Sequence, residues 1–241
     1  MNHHTTASLK AYFSHLCRVT YTLFPNLERL APELWECLGQ TFTMVAVSGT
    51  LAWVIGIAIG VLLVVTRPGA ICENRWVFTF FDRSIDIIRS IPFIILIVLL
   101  IPLSRLLVGT GSGVTGSFVA LVFGTVPFFA RQVESVLSDL EYGLIEASLA
   151  MGFSPLQIIF GVYLKESIAG ITRVTMITFV SFIGITAIAG AIGAGGIGDF
   201  AIRYGYQMGY RDMIWLTVLI ILAIISAFQF AGQWVIRKNQ H

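Results

Sequence analysis

The chain has 241 residues, 56% of them hydrophobic and 12% charged, with a mean hydropathy of +0.86. A soluble domain carries about 25% charged residues, so these figures describe an integral membrane protein. The net charge is only +2 and no basic tract is present, which argues against a nucleic-acid partner.

Residues 1–38 come first and fit no span. They mix aromatic and apolar side chains with Glu28, Arg29, Glu33 and Glu36, and Pro25 and Pro32 interrupt them. The basic start and small-residue cleavage site of a signal peptide are missing. The segment reads as an extracytoplasmic extension, either an interfacial amphipathic element or a poorly ordered one.

A membrane-crossing helix needs about 20 mostly apolar residues. No charge lies between Glu36 and Arg67, which predicts a first span at about 41–65. The run IPFIILIVLLIPLS becomes long enough if its helix starts near Ile87, giving a second span at 87–107. The Gly/Ser-rich GTGSGVTG is a turn signal ahead of a third span at 114–135. Spans at 174–196 and 213–236 complete an all-α, five-span reading, with 39–238 as one membrane domain. Lys and Arg divide nine to six between the two sets of loops. The richer set is expected to be cytoplasmic, which places the N-terminus outside and the C-terminus inside.

The segment at about 139–165 is too polar to span. On a helical wheel Leu140, Leu144, Ala147 and Met151 form one apolar stripe, while Ile145 and Leu149 point the other way. Two apolar faces need two surfaces to bury them. Gly152 stands where a left-handed C-terminal cap calls for glycine. Ser154-Pro155-Leu156-Gln157 then opens a second helix: serine caps it, proline takes the first turn, and glutamine reaches back to the serine N–H. Ala147, Ser148 and Ala150 are small enough to admit a close neighbour. The hairpin is either a docking element or a surface linker between spans three and four.

Glu146-Ala147-Ser148, three residues, Gly152, nine residues, then Val162-Tyr163-Leu164-Lys165 resembles the cytoplasmic coupling motif of ABC importer permeases. Ser148, Val162 and Lys165 depart from the motif's alanine, isoleucine and proline; without proline the helix is free to run on past Leu164. The strings GVLLVVTRPG, IIRSIPFIIL, LIEASLAMG, GAIGAGGIG and RYGY extend the resemblance over 39–238 to the permease subunits of methionine-uptake ABC importers, a type I permease family. Residues 1–38 lie outside it. The resemblance implies a homodimeric permease of the bacterial inner membrane with five spans. It implies two ATPase subunits docked on the hairpins and a substrate-binding lipoprotein delivering methionine. Coupling would rest on Glu146, Ala147, Ser148, Gly152 and Leu164, and ATP would sit on the partner ATPase.

GAIGAGGIGDF lacks the Gly-Lys-Ser/Thr ending of a phosphate loop, so the chain has no ATP site of its own in this reading; its glycines suit either close helix packing or a break at the mouth of a pathway. Gly56 and Gly60 have the small-residue spacing of packed helices, which suits packing within the bundle rather than a dedicated dimer contact. Thr178 and Ser181, with Thr175 and Met176 beside them, either line a substrate path or bond to their own helix. No catalytic, cofactor-binding or metal-ligating set assembles. Cys17, Cys37 and Cys72 lack paired or metal spacing, and His3, His4, His15 and His241 sit near the termini. An importer for another small nutrient remains open. An ion-coupled transporter fits less well, because no charge lies mid-span.

Overall fold

The computed structural model describes residues 24–239; residues 1–23 of the expected extension lie outside that range. The first helix, α1, runs from Leu27 to Thr66 with a wide turn at Val45–Gly49. It stops at Arg67, whose extended backbone (φ −55°, ψ 149°) is what the following Pro68 requires. The helix therefore starts well before the expected span at 41–65, and 27–38 belong to it. Leu30, Leu34 and Cys37 are buried there with Phe200 and Met213. The Asn26 amide, backbone and side chain, donates to Asp212 at 3.1–3.2 Å.

The expected second span is not one helix. An amphipathic α2, Arg75–Arg89, is capped by the Asn74 side chain, which accepts from the Val77 N–H at 3.2 Å. It ends ahead of Pro92, and α3 (Phe93–Leu99) and α4 (Ile101–Val108) follow. Pro92 supplies no N–H and disfavours helical backbone at Ile91. A second break falls at Leu100 (φ −88°, ψ 0°), just before Pro102. At 1.5 Å per residue, α3 and α4 are about 10 and 12 Å long, each far short of a bilayer's ~30 Å.

Next come α5 (Gly113–Ser138), the hairpin helices α6 (Tyr142–Ala150) and α7 (residues 155–166), and α8, whose regular part is Ile168–Ala189. The short α9 (Gly196–Phe200) leads through a wide turn at Ala201–Gln207 into α10 (Arg211–Asn239). Every described element is helical. Among the described residues, four helices are long and apolar enough to cross a membrane: Leu27–Thr66, Gly113–Ser138, Ile168–Ala194 and Arg211–Lys238.

The bundle is pinned by close helix contact at both ends. Gly56 and Gly60 of α1 face α5: a Cβ would stand 2.6 Å from Phe129 at the first and 2.7 Å from Val133 at the second. That spacing serves packing within the bundle. At the other end, the glycine string folds against α1 and α8. Gln40 Oε1 accepts from the Gly196 N–H at 2.7 Å, and Thr41 Oγ1 from the Ile197 N–H at 2.8 Å. A Cβ on Gly198 would lie 2.3 Å from the Ala187 carbonyl oxygen. The glycines are there to let backbones meet.

Candidate functional site

The hairpin joins α5 to α8. α6 ends in a six-to-one and a five-to-two hydrogen bond: Phe153 N–H to Ser148 O at 3.1 Å, and Gly152 N–H to Leu149 O at 2.9 Å. This is the Schellman arrangement, and Gly152 has the positive φ it needs, +80°. α7 opens with the full reciprocal cap: Ser154 N–H donates to Gln157 Oε1 at 2.8 Å, and Gln157 N–H to Ser154 Oγ at 3.4 Å. Both ends form from neighbouring residues, so the turn is set locally.

One face of the hairpin is locked to the bundle. Ile145, Ile158 and Tyr163 are buried in a cluster with Val61, Val64 and Val65 of α1 and Val133 and Leu137 of α5. Ile158 is wholly inaccessible. Burial also pushes the Tyr163 phenol above its ordinary pKa, with Tyr142 adding to the shift. The other face is open and apolar. Leu144 and Phe153 are exposed, Met151 is 64% exposed, and Leu156 and Phe160 are each 67% exposed. Leu149, expected to point with the buried Ile145, is exposed as well because it lies beyond the edge of the contact with the bundle.

Of the expected coupling residues, Glu146, Ala147 and Gly152 lie on the exposed side. Ser148 does not. It is buried, and its hydroxyl donates to Leu144 O at 2.7 Å. Leu164 packs at the margin of the buried cluster. The departure at Lys165 leaves the helix little longer: α7 ends at Glu166, and Ser167 (φ −93°, ψ 7°) separates it from α8. Ser167 is buried and its Oγ has no hydrogen-bond partner.

Beyond that joint, α8 forms one wall of a cavity of about 640 Å³ between α1, α5, α8 and α10. Phe42, Trp53, Phe129, Met176, Phe179 and Phe182 give it an apolar, aromatic lining. Its polar points are few. Thr175 Oγ1 donates to Ile171 O at 2.7 Å and accepts from Trp53 Nε1 at 3.2 Å. Thr178 Oγ1 accepts from Gln132 Nε2 at 2.9 Å. Thr178 thus lines the cavity, while Ser181 is exposed and does not line it. Trp53 and Gln132 were not singled out by the sequence, because each gains its role from a helix far away in the chain.

The family model for the binding-protein-dependent transport system inner membrane component matches residues 54–240. This chain belongs to that family. Among its relatives, the probable D-methionine transport system permease protein MetI of Vibrio cholerae is 38% identical over 216 residues, covering 90% of this chain and 94% of that protein. The D-methionine transport system permease protein MetI of Salmonella typhimurium is 47% identical over 142 residues, 59% of this chain and 64% of the relative. The fold is also that of a chain in an inward-facing crystal form of the MetNI methionine ABC transporter. There the TM-score is 0.83 at 39% identity, covering 90% of this chain and 99% of that one. Membership makes this chain a multi-pass inner-membrane transport component.

Proposed function

We propose that this chain is the permease subunit of an ATP-driven methionine importer. It works as a homodimer with two ATPase subunits on its cytoplasmic side and a substrate-binding lipoprotein on the other. ATP is bound and hydrolysed by the ATPase partner. The N-terminus faces outward and the C-terminus faces the cytoplasm. The broken α3–α4 segment, entered from α2, completes a fifth crossing.

The observation that carries this reading is the path from the hairpin to the cavity. The open face with Glu146, Ala147 and Gly152 receives the ATPase, while Ser148 and Leu164 support it from within. A displacement of that face is passed through Ile145, Ile158 and Tyr163 into the packed α1–α5 core. It also passes through Ser167 into α8, which lines the cavity from Ile171 to Phe182. Packed cores switch between arrangements rather than deform smoothly, so a shift at the hairpin re-poses the cavity wall. The cavity lies within the ~300–1,000 Å³ of small-molecule sites, and its apolar lining with Thr175 and Thr178 suits an amino acid with a thioether side chain.

Reconstitution into proteoliposomes with the ATPase and the lipoprotein tests the reading. Labelled methionine should accumulate with ATP inside the subunit-bearing compartment and not with an ion gradient alone. Accumulation driven by the gradient without ATP would contradict it, and uptake of a different nutrient in preference to methionine would overturn the substrate.

A further inference from the structure

The surface helix α2 carries a charge and exposure pattern that the transport reading does not use. Its sequence, RWVFTFFDRSIDIIR, holds three arginines and two aspartates. The inward face, with Phe78, Phe81 and Ile85, packs on Leu63 and Ala130. Both aspartates are taken up by a single cation from α5. Arg131 donates to Asp82 Oδ1 and to Asp86 Oδ1 at 2.9 Å each, and to Glu134 of its own helix at 2.7 Å. Among the described residues, no carboxylate pairs with Arg75, Arg83 or Arg89. The nearby Glu73 carboxylate accepts from the Gly69 N–H. Arg131 thus draws the carboxylates of α2 toward α5, while Arg75, Arg83 and Arg89 keep no carboxylate within ion-pair distance among the described residues.

The outward face has a second property. Positions 76, 80, 83 and 87 fall within about 60° of one another on the helix. They place Arg83 inside an exposed apolar stripe of Trp76 (89% exposed), Phe80 and Ile87. Thr79, Asp86 and Arg75 border it on one side, with Asp86 held by Arg131 of α5. An aromatic and aliphatic stripe with arginine at its centre suits the lipid–water boundary. There the rings meet acyl chains and the guanidinium reaches the headgroup level.

We propose that the exposed face of α2 is a binding site for an anionic phospholipid. The phosphodiester seats on Arg83, Arg75 adds a second positive charge, and the acyl chains lie on Trp76, Phe80 and Ile87. A free phosphate ion would use the arginines but gain nothing from the apolar stripe, so the lipid is the occupant that matches both features.

Native mass spectrometry of the purified membrane protein, with its co-purifying subunits, tests this. The protein is equilibrated with phosphatidylglycerol or with phosphatidylcholine in mild detergent. Phosphatidylglycerol should be retained in preference. Arg83→Gln and Arg75→Gln, read in parallel, should each lower that retention about fivefold, the effect of one basic residue near an anionic surface. Arg83→Lys should keep most of it, and excess inorganic phosphate should not displace the lipid. Equal retention of the two lipids, undiminished retention in the glutamine variants that assemble, or displacement by phosphate would each overturn the site. So would retention that appears only once the ATPase subunit is stripped off, since that subunit would then be the true occupant.

Discussion

Single residues separate packing from docking in this chain. Gly198→Ala puts a Cβ 2.3 Å from a backbone oxygen of α8, where nothing can swing aside. It should cost about 1–3 kcal/mol, read as a lowered melting temperature in detergent. Gly143→Ala is the control: no atom lies within 4 Å of its Cβ position, so no such loss is expected. Ser148→Ala removes a hydroxyl that bonds only to its own helix. It should change stability by less than about 1 kcal/mol and leave transport intact. The same residue shows where sequence reading stopped. Ser148 matches the motif by position, but its inward direction is set by how α6 lies on α1 and α5. Thr178 and Ser181 make the same point. They are three positions apart, and the edge of the cavity falls between them.

At the scale of elements, the hairpin was the most legible part. Its glycine, serine, proline and glutamine act on residues within one turn, so the caps follow from spacing alone. The stripe through Leu144, Ala147 and Met151 was also visible as one of two faces, though only the structure tells which face is buried. α1 was less legible. Its first turns carry charges that break the hydropathy signal, and they are held in place by Phe200, Met213 and Asp212, residues more than 150 positions away. The helix expected at 87–107 is broken for a different reason: its many Ile and Leu residues dominate a hydropathy sum, which does not register that Pro92 and Pro102 interrupt the helix. The buried side of the hairpin gives a direct prediction. Ile158→Ala should destabilise the hairpin by about 2–5 kcal/mol. Hydrogen exchange should then rise across 142–166, with a smaller effect in α10, and methionine uptake per ATP hydrolysed should fall because the face no longer moves with the core.

In the whole molecule the hairpin has two unlike sides. One side of the hairpin is built into the bundle, and the other is open and apolar, the face proposed to receive the ATPase. Composition and span length made the membrane class plain from the sequence, and the motif's resemblance suggested an ATPase as the partner. The cavity was out of reach, because α1, α5, α8 and α10 come together only in three dimensions. The open face is tested most directly by Ala147→Trp, which adds bulk at a small, exposed position without disturbing the buried cluster. The melting temperature of the isolated chain should stay as in the wild type. Co-purification of the ATPase and ATP-driven methionine uptake should both be lost. Full uptake and an intact complex in the Ala147→Trp protein would contradict the docking role of this face.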